Sequence, residues 1–314
     1  TLDRSSAASD VYKRQMSNTA WLPQGPALLF APADRPERFA KAADRSDMVI
    51  LDLEDGCRAE NRAEARQNVI HADLDPECTI VRINPIDSPD FADDLAAVTD
   101  SPFRTVMVPK VESALVLGDA DSNRRALPKD FRAIALIETP RGVVNLTEIA
   151  ADPQVVALFW GAEDLTAALG GTSSRYGADE DPTPGGGPSG HPGGYREVPR
   201  LTRAMVLLHA AAAGIVALDS IHADTKDTEG ASAEAIDAAA SGFVATVSIH
   251  PGLVPVIREA YAPTEEQATW ARRVIEGAAE NSGAFALDGQ MIDAPLLRQA
   301  EVIAARIRSV SYTH

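Results

Sequence analysis

Short apolar runs rich in β-branched residues recur along the chain, and between them lie stretches whose apolar residues return every three or four positions. The runs are ALLFAP (27–32), MVILDL (48–53), TIVRIN (79–84), TVMVPK (105–110), RAIALIE (132–138), VVALFWG (155–161), GIVALD (214–219) and FVATVSIH (243–250). Runs this short, bounded by turn residues and separated by helical stretches, predict parallel strands in βα units. Eight such units in about 230 residues is what a (β/α)8 barrel requires. A doubly wound open sheet is the competing fold. No G-x-G-x-x-G follows the first run, so nothing favours its dinucleotide-binding form. The reading is α/β, a TIM barrel over 16–262 followed by a C-terminal helical extension, or lid, over 263–309.

The extension announces itself at Thr264 and Gln267, which have capping-box spacing. Ala268, Ala271, Val274, Ile275 and Ala278 then share one face. FALDGQMIDAP (285–295) and a last helix near 296–308 complete it. GADEDPTPGGGPSGHPGG (177–194) is too rich in Gly and Pro for an element; it reads as a mobile loop, with His191 a solvated residue in it. Residues 1–15 show neither apolar periodicity nor a signal-peptide core. They are expected to be a disordered or non-native leader ahead of Met16, and the terminal SVSYTH is set aside in the same way.

The formal charge of −17 argues against nucleic acid and anionic membrane as partners. No apolar run approaches the ~18 residues of a membrane span. Cys57 and Cys78 make no metal or disulfide framework, which fits a reducing cytoplasm.

Charge matters more locally. LDLEDG (51–56) crowds Asp52, Glu54 and Asp55 into four positions at the end of an apolar run. In a barrel the chemistry sits at the C-terminal strand ends. Those ends carry Glu54 and Asp55, Arg82, Lys110, Glu138, Glu163 and Asp164, Asp219, and His250. A ring of structural salt bridges is the plain alternative. The excess of carboxylates over Arg82 and Lys110 instead suggests a divalent cation, Mg²⁺ before Mn²⁺ or Ca²⁺. Glu138 and Asp164, on neighbouring strands, are the natural ligand pair, although Asp164 could equally be a helix N-cap. Glu54 and Asp55 would then orient metal-bound waters. Lys110 reads as a rim salt bridge, and His222 and His250 as structural.

PADRPERFAKA (32–42), VILDLEDG (49–56), VRIN (81–84), VPKVES (108–113), LIET (136–139), WGAEDL (160–165), GF (242–243), IHP (249–251) and GQMIDAP (289–295) occur in order. Together they resemble the citrate lyase β-subunit-like proteins of the HpcH/HpaI aldolase/citrate lyase family. The nearest likeness is to stand-alone β-hydroxyacyl-CoA lyases acting on citramalyl-CoA- or malyl-CoA-like thioesters. The resemblance implies a TIM barrel, a homotrimer or hexamer, Mg²⁺ as cofactor and a CoA thioester as substrate. By position, Glu138 and Asp164 match the family's metal ligands, and Arg82 matches its substrate- and enolate-contacting arginine. Asp293 falls where related lyases keep a C-terminal carboxylate that reaches a neighbouring subunit's site; its plain reading is an N-cap. Ala245 and Thr246 stand where many relatives have a lysine, and the 177–194 segment looks longer than usual.

The implied reaction is a reversible retro-Claisen cleavage to acetyl-CoA, or a homologue, and a 2-oxo acid. Arg82 would steady the enolate and Asp293 would supply its proton. Coenzyme A is a polyanion, and an acidic chain needs a local basic strip to hold it. Arg35, Arg38 and Lys41, three apart after the first strand, would share one helix face for this purpose. A thioesterase acting on the same substrates, and a lyase subunit working in a complex, are the alternatives.

Overall fold

In the computed structural model, which describes residues 21–117, 124–125, 127–177, 179–180, 193–281 and 283–310, all eight apolar runs are parallel strands. They are β1 (Ala27–Pro32), β2 (Met48–Asp52), β3 (Thr79–Arg82), β4 (Thr105–Val108), β5 (Arg132–Ile137), β6 (Val155–Trp160), β7 (Val216–Asp219) and β8 (Ala245–Ser248). Each pairs with its successor and β8 pairs with β1, so the sheet closes into a barrel. Closure rules out the open doubly wound sheet.

Alternation along the strands divides the apolar residues into two cores. Leu28, Met48, Ile50, Ile80, Met107, Leu136, Phe159 and Val247 fill the interior, joined by Trp21 from ahead of β1. The residues between them, such as Leu29, Val49, Leu51, Val81, Val108 and Leu158, pack against the surrounding helices. Those helices include α1 (Phe39–Arg45), α2 (Arg62–Ile70), α3 (Phe91–Asp100), α4 (Pro140–Val144), α5 (Leu146–Ala150) and α6 (Ala162–Ala168). The ring continues with α7 (Glu197–Ala213), α8 (Thr228–Ser241) and α9 (Val254–Tyr261). Several strands stop short of their apolar runs: β3 ends at Arg82, β4 at Val108 and β8 at Ser248. The polar residues beyond those ends leave the ladder and form the mouth.

Beyond the barrel, α10 (Glu265–Glu280) opens with the expected capping box between Thr264 and Gln267. FALDGQMI folds as a hairpin, β9 (Phe285–Leu287) with β10 (Gln290–Ile292). Its two-residue turn, Asp288 and Gly289, holds both φ angles positive, at 50° and 82°. An Asp-Gly pair suits such a turn, and this signal went unused in the sequence reading. The last helix, α11 (Ala294–Val310), starts two residues earlier than expected. Ala271, Val274, Ile292 and Ala300 form the extension's own small core. Among the described residues, no helix is long and apolar enough to cross a membrane. The leader 1–15, His191 with most of 177–194, and residues 311–314 lie outside the described residues. The two ends of the 177–194 segment are nonetheless joined: Tyr176 N–H donates to Gly194 O at 2.9 Å, and Gly193 N–H to Tyr176 O at 3.1 Å.

Candidate active site

Asp52 and Arg82 are register partners on β2 and β3, and by strand parity both point into the top of the barrel. Asp52 accepts from Arg82 Nε at 2.7 Å and from Nη2 at 2.6 Å, the two-pronged geometry that fixes a guanidinium plane. It also accepts the main-chain N–H of Glu54 at 3.0 Å and of Gly56 at 2.8 Å. A Cβ at residue 56 would collide with Asp52 Oδ2, so glycine lets the loop close over the carboxylate. Part of the question raised by LDLEDG is thereby answered: its first carboxylate holds Arg82 and its own loop. Glu54 Oε2 lies 2.8 Å from Arg82 Nη1 but out of hydrogen-bond alignment. The guanidinium stacks on Phe30, 4.6 Å from the ring centre. Asn84 of VRIN ties this loop to β3: its Nδ2 donates to Leu53 O at 2.9 Å and to buried Asp94 at 2.7 Å.

Lys110 follows β4 with φ at 53°, rare for a residue with a side chain. Its Nζ donates to Glu54 Oε1 at 2.6 Å and lies 3.9 Å from Glu138 Oε1 and 3.8 Å from Asp164 Oδ1. Its main-chain N–H donates to Glu138 Oε1 at 3.1 Å. The rim salt bridge expected from the sequence is therefore a central cation touching three carboxylates.

Glu138, just past β5, is 3% exposed. Burial first, then the charges of Asp164 and Glu54, push its pKa up to about 8, with Lys110 and Arg82 pulling the other way. Glu54 is raised as well, chiefly by burial, in spite of Arg82 and Lys110. Burial works against charge on Arg82 and Lys110, yet their carboxylate neighbours, Asp52 first for Arg82 and Glu54 first for Lys110, hold both firmly protonated.

These residues fit a hard divalent cation. Glu138 and Asp164 come from adjacent βα units, and burial together with the charges of Asp164 and Glu54 makes ionising Glu138 costly, a cost that a bound cation would offset. Glu138 Oε2 faces Gly161, where a Cβ would stand only 2.8 Å away; glycine keeps that side open. Among the described residues, no group of three or more His, Cys, Asp or Glu is arranged to hold a metal. Two protein ligands with the rest left to water and substrate is the Mg²⁺ pattern, not that of an all-protein cage. Asp164 is not the N-cap of α6: Gly161 holds that place, and Asp164 lies in the first turn.

The mouth opens into a cavity of about 710 Å³. Asp52, Asp55, Arg82 and Asp164 line it, together with Arg38, Lys41 and Arg45. Arg35 does not line it. It precedes the short 3₁₀ turn Pro36–Arg38, outside the helix, and Arg45, which the spacing argument missed, completes the basic strip. His250 also lines the cavity, with its Nδ1 accepting Gly252 N–H at 3.1 Å. Two members of the expected ring face elsewhere. Glu163 accepts from Ser174 Oγ at 2.6 Å, and Asp219 accepts from Trp160 Nε1 at 2.8 Å and from Arg203. Asp293 is exposed at the start of α11, accepting Leu296 N–H at 3.4 Å, and lies outside the mouth cavity. Thr246, where a lysine was expected by resemblance, is buried with its hydroxyl 3.0 Å from Tyr261 Oη.

A closed eight-stranded α/β barrel with an aligned arginine and under-compensated carboxylates at its C-terminal mouth is built as a barrel enzyme for anionic substrates. The sequence model of the HpcH/HpaI aldolase/citrate lyase family matches residues 27–251, and the chain belongs to that family of carbon–carbon bond enzymes. It is 48% identical over 282 residues to a citrate lyase subunit beta-like protein of Mycobacterium tuberculosis, covering 90% of this chain and 95% of that one. It is 28% identical over 327 residues to the mitochondrial citramalyl-CoA lyase of Homo sapiens, covering 95% and 90% of the two chains. Among solved structures, CitE from M. tuberculosis in complex with magnesium, acetoacetate and coenzyme A superposes with a TM-score of 0.78. That match is 47% identical and covers 90% of this chain and 98% of the other.

Proposed function

We propose that the protein is a Mg²⁺-dependent lyase that reversibly cleaves a 3-hydroxyacyl-CoA thioester of the citramalyl-CoA or malyl-CoA type. The products are acetyl-CoA, or a homologue, and a 2-oxo acid. The observation that carries this reading is the buried Glu138 beside Asp164, with Arg82 held rigid across the same mouth. Mg²⁺ held by Glu138 and Asp164 would supply Lewis-acid polarisation of the hydroxyl and carboxylate oxygens.

The remaining work falls to side chains. As the hydroxyl gives its proton to water in the mouth and becomes the carbonyl of the 2-oxo acid, the broken carbon–carbon bond leaves its electron pair on the thioester's α-carbon, and charge develops on the thioester oxygen. Arg82, locked by Asp52 and Phe30, presents donors that cannot lose their proton and need no reorganisation as that charge appears. Glu54 and Asp55 would orient water beside a cation held by Glu138 and Asp164. Arg38 and Lys41, with Arg45, hold the phosphates of coenzyme A where they line the cavity. Asp293, outside its own mouth, delivers the proton to the enolate carbon of a neighbouring subunit in a trimer or hexamer.

The test incubates the protein with Mg²⁺ and malyl-CoA, β-methylmalyl-CoA and both citramalyl-CoA epimers, with products separated by mass. Acetyl-CoA or propionyl-CoA with a 2-oxo acid, lost with EDTA and in Glu138→Ala, is the expected result. Free CoA with an intact hydroxy diacid would make the protein a thioesterase, and no turnover of any ester would make it a partner-dependent subunit.

A further inference from the structure

We propose that Lys110 is a resident counter-cation that sets the metal affinity of the mouth, holding Glu54, Glu138 and Asp164 together while competing with a divalent ion for the last two. The inference rests on the reading of Glu138 and Asp164 as metal ligands. Lys110 engages Glu138 with both of its ends: the main-chain N–H donates to Oε1 at 3.1 Å, and Nζ stands 3.9 Å from the same atom. Nζ is anchored on Glu54 at 2.6 Å and stands 3.8 Å from Asp164.

The backbone supports this reading. A φ of 53° is disfavoured for any residue with a Cβ and persists only where the surroundings impose it. A simple rim salt bridge needs one carboxylate and no such strain. Here the left-handed turn aims the N–H at Glu138 while the side chain crosses to Glu54. The N–H engages Oε1, which leaves Oε2 on the open side by Gly161.

An ion shared by Glu138 and Asp164 would lie among the oxygens that surround this ammonium. Two cations a few ångströms apart repel, and even at a high effective dielectric the cost in binding constant is about tenfold or more. Lys110 thus does two opposing things. It keeps mutually repelling carboxylates assembled, and it keeps their hold on a metal weak enough for exchange.

The test titrates metal-stripped protein with Mn²⁺, reading the free ion by electron paramagnetic resonance, and records the melting temperature without metal. Lys110→Met should bind Mn²⁺ about tenfold more tightly than wild type and melt lower without metal. Lys110→Gln, which keeps a donor for Glu54, carries the same expectation should the methionine variant not fold. Lys110→Arg, which keeps the charge, should stay within about threefold of wild type. Unchanged or weaker Mn²⁺ binding in both neutral variants would overturn the inference. Glu138→Gln separates the two claims. If it binds Mn²⁺ as wild type does, the ligand assignment itself fails; if it does not, only the role of Lys110 is in question.

Discussion

Two buried ionic clusters flank the upper part of the barrel, and they differ in how their charge is settled. On the flank, Glu234 is paired with Arg175 through both guanidinium nitrogens and with His222 Nδ1 at 2.9 Å. Burial would raise its pKa, but His222 and Arg175 outweigh burial and lower it. Arg175 stacks 3.8 Å over Tyr195, whose ring meets Trp160 edge-on, and Trp160 donates to Asp219, which Arg203 also holds. In the mouth, Glu138 is the more deeply buried, its side chain 4% exposed against 25% for Glu234, and its pKa rises to about 8. Arg82 and Asp164 of the mouth cluster line one cavity and Glu234 and His222 of the flank cluster line another, so the presence of a cavity alone does not separate them. Compensation does. A saturated network ties elements together, whereas an under-compensated one is a site awaiting a charge.

The contrast is broken most sharply by exchanging what the two glutamates can lose. Glu138→Gln should lower turnover of the CoA ester by about a thousandfold or more while the protein stays folded, as steady-state kinetics and thermal melting would show. Glu234→Gln should leave kcat near wild type but lower the melting temperature by on the order of 10 °C, since it leaves Arg175 buried and half-paired. Arg82→Lys keeps the charge but loses the fork that Asp52 holds, and should cost about a hundredfold in kcat. Arg38→Ala with Lys41→Ala should raise KM for the CoA ester about tenfold with kcat unchanged, the effect shrinking at high salt.

The smallest effect expected is on the flank. Bonding to Glu234 raises the His222 pKa, although burial opposes it. Its stabilising contribution is therefore complete below the ordinary histidine value and is lost as pH rises through the higher folded value. The deficit of His222→Gln, about 2–4 °C in melting temperature, should be largest near pH 6 and fade as the pH rises above the ordinary histidine range.

The barrel was legible because each strand lies within a short, mostly apolar run. Residues buried on both faces leave a pattern that needs no partner information. The mouth was legible in kind, since ionisable residues cluster where such runs end. Which of them converge was not. Asp219 and Glu163 look like Glu138 and Asp164 in sequence, and only the positions of Arg203, Trp160 and Ser174 show that they are structural. Lys110 was undervalued because its role depends on a positive φ that nothing in VPKVES announces. Asp52 was read as one of three crowded carboxylates, although its place opposite Arg82 follows from strand register, which sequence does not show. Arg45 was missed because a short 3₁₀ turn shifts the basic face away from Arg35.

The central claim is that Glu138 and Asp164 in the mouth bind a cation and the flank's carboxylates do not. Isothermal titration of metal-stripped protein with Mg²⁺ tests it most directly, comparing wild type, Glu138→Gln and Glu234→Gln. The account predicts one Mg²⁺ bound by wild type, retained in Glu234→Gln and lost in Glu138→Gln. Equal binding by wild type and Glu138→Gln, or loss only in Glu234→Gln, would contradict it.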